Sequence, residues 1–236
     1  MDGKRADSEP SPFTGWLDTL APVEVGTSDA EGRGQDLTSP GSSSADLALN
    51  RPGAPNAAAR HAAALTGARH TRAMGLRLEK YLAPEWRILH AVPLGDGAST
   101  VDHLLIGPGG VFTVSAHEHP GARVWVSRDE IRVNGTPVHY FRTSLARARR
   151  IAKVLRAASG QRVRATPCIV FFTRVAGAHV GDSGVVIQEP LEGALVLDSS
   201  NVVRSFRKLD AVLAPEAVEA LFEAARRRAS WVVERS

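Results

Sequence analysis

Residues 167–173 read PCIVFFT, an uninterrupted apolar run of strand length. A strand without polar alternation is expected in a sheet buried on both faces, which needs helices or further strands on each side. The flanking sequence supplies both. Short strand patterns occur at 87–93, 100–106, 111–117, 123–127, 130–134, 184–188 and 194–197. GPGG at 107–110 is a turn, and Asn134-Gly135 is a hairpin signal.

Residues 57–82 are rich in Ala, Arg and Leu and read as helix. In residues 142–158, Leu145, Ala148, Ile151, Ala152 and Leu155 keep helical spacing along one face, with Gly160 as the stop. NVVRSFRKL and PEAVEALFEAARRRASW close the chain as helices, the second opened by Pro215. Strands, a helix, more strands and then helices imply an α/β chain with a central mixed sheet flanked by helices. This domain is expected to span residues 57–236, within the usual size range.

Residues 1–56 differ. They hold seven Gly, six Pro and seven Ser with no period of 2 or 3.6, and are expected to be a disordered tail that the domain can lose without loss of stability. Phe13, Trp16, Leu17 and Leu20 form one short apolar patch within it. No apolar run reaches membrane-spanning length, and the N-terminus lacks a secretory pattern. The single cysteine, Cys168, excludes an internal disulfide and a Cys-rich zinc site. A bacterial-type cytoplasm is the simplest setting.

Of 236 residues 29 are basic and 25 acidic, a net charge of +4, but the two parts carry opposite signs. The tail has nine acids and four bases, whereas the remainder has an excess of nine positive charges. No carboxylate occurs from Ile131 to Gly181, a stretch with ten bases. On the 142–158 helix, Arg142, Arg149, Lys153 and Arg156 lie away from the apolar stripe, with Arg150 in the same run. An ordinary solvated face mixes signs; this one suits a phosphate backbone, and DNA is the expected partner.

PEWRILHAVPLGDGASTVDHLLIGPGGVFTV, HPGARVWV, RVNGTPVHYFRTS and the terminal EALFEAARRRASWV follow one another in an order that resembles the nuclease-related domain (NERD) family, a branch of the PD-(D/E)xK nuclease superfamily. The resemblance implies a restriction-endonuclease-like fold and a metal-binding hairpin at VDHLLIGPGGVF. In that family a strand Asp and a second acid or Asn hold Mg²⁺ or Mn²⁺ against a scissile phosphate, a lysine stabilises charge and helps activate water, and a helix-borne Glu assists. Asp102 keeps the first position, but the others fall on Ser115, His117 and Thr71.

The expectation is therefore a DNA-associated chain that has lost or nearly lost phosphodiester cleavage. One alternative is a divergent metal-dependent nuclease using Asp102 and His117, a carboxylate–imidazole pair suited to Zn²⁺ or Mn²⁺, with His119 folding back as a third ligand. Another is a protein-interaction module that binds no nucleic acid.

Overall fold

A computed structural model describes Leu47 and residues 67–95, 99–174 and 184–231. The remainder of the expected tail, and the first part of the expected helix at 57–82, lie outside the described residues. Elements follow the order α1 (Gly67–Leu82), β1 (Arg87–Leu94), β2 (Ser99–Gly107), β3 (Gly110–Glu118), β4 (Val124–Val126), β5 (Ile131–Val133), β6 (Thr136–Val138), α2 (Tyr140–Ser159), β7 (Ala165–Phe172), β8 (Val185–Ile187), β9 (Leu195–Asp198), α3 (Val202–Arg207) and α4 (Pro215–Arg226).

The central sheet has the order β1-β2-β3-β7-β9. β1, β2 and β3 pair antiparallel, whereas β7 runs parallel to β3 and β9 parallel to β7. One face is covered by α2 and α4, whose Ile151, Leu155, Val218 and Leu221 pack against Leu89, Leu104, Ile106 and Val111. The other is covered by α1 and α3, whose Met74, Leu78, Leu82 and Phe206 pack against Leu105, Phe112, Val114, Cys168 and Val170. The run PCIVFFT thus sits as expected, with Cys168 and Val170 toward α1 while Ile169 and Phe171 enter a third cluster.

That third cluster belongs to a second sheet. The segments expected as strands at 123–127, 130–134 and 184–188 pair with one another, in the order β6-β5-β4-β8, rather than joining the central sheet. Val124, Val126 and Ile131 bury themselves on Ile169, Phe171 and Val196, beside α2 on the same face. The turn at Asn134 (φ 49) and Gly135 (φ 83) has two left-handed residues, and the strand that returns from it carries Pro137 on an edge, where the missing N–H costs no ladder bond.

The GPGG turn is set by packing. A Cβ at Gly107 would run into the Trp86 ring, and one at Gly109 would lie 2.7 Å from the Leu209 side chain. At the end of α2, Gly160 takes φ 71 and its N–H donates to the Arg156 carbonyl, as a left-handed stop does. Leu47, within the segment expected to be a tail, is fully buried in the α2-side core. Among the described residues no helix is long and apolar enough to cross a membrane.

Candidate functional site

The β2–β3 hairpin pairs His103 with Val114 and Gly107 with Gly110, so alternate residues of β3 point to opposite faces. Phe112 and Val114 enter the core against α1. Thr113, Ser115 and His117 face the other way, toward α2. That helix presents Tyr140, Ser144 and Arg147, spaced four and three residues apart and so on one face. The Ser115 and Ser144 hydroxyl oxygens lie 3.3 Å apart. The His117 ring stacks on Tyr140 with centroids 3.8 Å apart, and His119 Nε2 lies 3.0 Å from the Tyr140 hydroxyl.

Asp102 lies where β2 parts from β3. The Ala116 N–H donates to its Oδ2 at 3.0 Å, replacing a ladder bond. Burial pushes the Asp102 carboxyl above its usual pKa, against the opposing pull of that N–H and of the Arg147 guanidinium. His117 is pushed down to about 4, first by burial and then by His119 and Arg147. It is therefore neutral at pH 7, and its Nε2 is buried without a hydrogen-bond partner, as is the Thr113 hydroxyl. Asp102 and His117 are thus brought under one guanidinium. Sequence reasoning counts Arg147 only among the ten bases of the acid-free stretch; its place as a lone charge on the buried side of its helix is the signal that would have marked it for the site.

Thr71 lies elsewhere. It sits on α1, across the sheet from Ser115 and His117, and its carbonyl accepts from His103 Nε2 at 3.1 Å. This bond fixes a proton on Nε2, because a carbonyl only accepts. Neutral His103 then accepts at Nδ1 from His90 Nδ1–H, 2.7 Å away. His90 Nε2 in turn faces Glu79 Oε1 at 2.9 Å. Burial lowers the His90 pKa, against the opposing pull of the Glu79 hydrogen bond and charge. His103 is buried and its pKa is lowered to about 3, by burial first and His90 second. At the end of β3, Glu118 also turns to α1, with Oε1 2.6 Å from His70 Nδ1 but without directed hydrogen-bond geometry.

The basic residues of α2 other than Arg147 divide among three surroundings. Arg150 lies over the turn after β1, where any Cβ at Gly95 would strike its guanidinium. Arg149 and Arg156 line a cleft between α2 and the second sheet. Arg142 and Lys153 are exposed.

Mg²⁺ and Mn²⁺ take several oxygen ligands, preferentially charged ones. On the α2 face of the hairpin Asp102 is the one carboxylate among the described residues, with one oxygen committed to Ala116 and a guanidinium acting on it. Ser115 contributes a neutral hydroxyl shared with Ser144. This donor set does not fit a hard divalent cation. His119 is held by Tyr140 and does not complete a set with Asp102 and His117; among the described residues no three His, Cys, Asp or Glu side chains are grouped to hold a metal ion.

Residues 66–173 match the family model described as nuclease-related domain. Comparison with curated proteins gives no match, and comparison with solved structures gives none.

Proposed function

We propose that this chain, whose residues 66–173 match the nuclease-related domain family, is a DNA-associated member of it that has lost or nearly lost phosphodiester cleavage. The carrying observation is the state of the hairpin's α2 face. A single buried carboxylate lies near Arg147, the family's acid position is a hydroxyl, and its lysine position is an imidazole neutral at pH 7 and stacked on Tyr140. Losing one electrostatic stabiliser of a transition state typically costs about 10²–10³ in rate, and here several are replaced. The cytoplasm is the setting of this reading, one in which the lone buried thiol of Cys168 needs no partner.

What remains is a scaffold with its cations in place. Arg142, Arg149, Lys153 and Arg156 are exposed along α2, and Arg162, Arg164 and Arg174 follow without an intervening acid. Such a surface binds duplex DNA by releasing counterions, with little preference for sequence. Gel retardation of duplex DNA tests this. Log affinity should fall linearly with log salt, and reversing the charge of Arg149, Lys153 and Arg156 together should remove most binding. No retardation by the wild-type protein at low salt would overturn the DNA reading.

The specific observation favouring a second reading is the unpartnered Nε2 of His117. A buried, neutral imidazole nitrogen near a carboxylate is a ligand or base in waiting, and cleavage confined to Mn²⁺ or Zn²⁺ and lost in His117→Ala would establish it.

A further inference from the structure

Between α2 and the second sheet lies a cleft of about 440 Å³, open to solvent and separate from the hairpin site. That volume falls in the range of about 300–1,000 Å³ typical of small-molecule sites. α2 contributes Arg149 and Arg156 to one wall; Arg164, just before β7, contributes a third guanidinium, and Arg128, paired with Glu189, a fourth. Arg149 and Arg164 pair with no carboxylate among the described residues. Arg156 donates from Nε to the Ala152 carbonyl at 3.2 Å, which fixes its stem and leaves the outer nitrogens to face the cleft.

Two further kinds of side chain line the cleft. Phe141 and Leu145 offer an apolar floor one turn along α2. Glu192 and Asp129 offer carboxylates that repel a bare phosphate but accept from hydroxyl or amine donors. A site for a featureless polyanion has no use for either. Three guanidiniums without an ion pair among the described residues, an apolar and aromatic floor and acceptor carboxylates together match a ligand with a phosphate, a flat ring and a hydroxylated sugar.

We infer that this cleft binds one nucleotide unit, its phosphate held by Arg149, Arg156 and Arg164 and its base laid on Phe141 and Leu145. The unit is either a free mononucleotide or one residue of a nucleic-acid strand. In the second case the inference deepens the DNA reading, since Arg149 and Arg156 serve both; in the first it stands without it.

Calorimetric titration of the whole protein tests this with four probes: adenosine 5′-monophosphate, adenosine, inorganic phosphate and a short 5′-phosphorylated single-stranded oligonucleotide. The monophosphate should bind at least about tenfold tighter than either adenosine or phosphate, because each charge-assisted bond contributes on the order of a tenfold gain in affinity. Arg164→Gln, an exposed position whose variant is checked for fold by circular dichroism, should weaken the monophosphate by about tenfold. Phe141→Ala should weaken the monophosphate and leave phosphate binding unchanged.

An oligonucleotide that binds tighter than the monophosphate and competes with it identifies a strand as the source; one that does not compete identifies the free nucleotide. Equal binding of monophosphate and adenosine, equal binding of monophosphate and phosphate, or no effect of Arg164→Gln would each overturn the inference. If duplex DNA is retarded but the monophosphate does not bind, the cleft assignment fails alone. If the monophosphate binds and duplex DNA is not retarded, the DNA reading fails alone.

Discussion

On its α1 side the β2–β3 hairpin carries a polar chain, Glu79–His90–His103–Thr71, in which each buried ring nitrogen has a partner between 2.7 and 3.1 Å. On its α2 side it carries Asp102, Thr113, Ser115 and His117, and two of those groups have buried polar atoms with none. Both sets are desolvated by the same sheet. A fully satisfied network stabilises and fixes a core, whereas orphaned polar atoms carry a desolvation cost with no structural return. The histidine chain on the α1 side therefore reads as architecture, although His70 Nδ1 and Glu118 Oε1 on the same side are buried without hydrogen-bond partners. The α2 face, on which the family resemblance places Asp102, Ser115 and His117, carries the orphaned Thr113 hydroxyl and His117 Nε2, as the proposed replacement of metal-binding groups would leave them.

This contrast should be clearest in stability. His103→Ala removes a buried ring together with its bonds to His90 Nδ1 and the Thr71 carbonyl, so urea unfolding should show a loss of about 3 kcal/mol. A loss below about 1 kcal/mol would mean that the α1 network is not structural. Leu47→Ala, in the core beneath α2, should cost about 2–4 kcal/mol, and deletion of residues 1–56 should cost at least as much. Unchanged melting on deletion would instead restore the expectation that the whole segment is dispensable.

Both faces should weaken together in acid. The histidine at 103 titrates near 3 and that at 117 near 4 in the folded chain, against 6.5 when unfolded. Below 6.5 the unfolded chain binds protons that the folded chain does not, so stability is full above that pH and falls as pH drops toward 4 and then 3. Each histidine contributes a slope of up to about 1.4 kcal/mol per pH unit across its window. Asp102, with its raised pKa, acts in the opposite sense and offsets part of the loss. Denaturant midpoints measured from pH 8 to 4 check this, and a flat profile would show that these rings are solvated. Ser115→Ala should have the smallest effect, within about 1 kcal/mol, because Ser144 loses only a 3.3 Å contact.

Much of this arrangement was legible in the sequence and some was not. PCIVFFT announced a doubly covered strand, and alternation along 111–117 assigned Ser115 and His117 to the face opposite Phe112 and Val114, because a period of 2 is local and needs no tertiary information. The second sheet was not legible: strands of three residues carry too few side chains to say which sheet they join, and only packing on Ile169 and Phe171 decides it. Residues 140 and 141 escaped the helix assignment because the apolar stripe becomes regular only at Leu145. Thr71 and Asp102 fall on opposite faces because α1 packs against Phe112 and Val114, a long-range contact that no local pattern encodes. The histidine chain joins residues 11 to 32 positions apart and was invisible for the same reason.

In the proposed function DNA is held by a chain whose hairpin no longer cleaves it. The most direct test incubates supercoiled plasmid with the protein at low salt, where retardation confirms binding, and follows nicked and linear forms with Mg²⁺, Mn²⁺ and Zn²⁺ against an Asp102→Ala control. Bound but intact plasmid, with wild type and Asp102→Ala indistinguishable in every metal, is the expected result. Robust Mg²⁺-dependent cleavage that disappears in Asp102→Ala would contradict it.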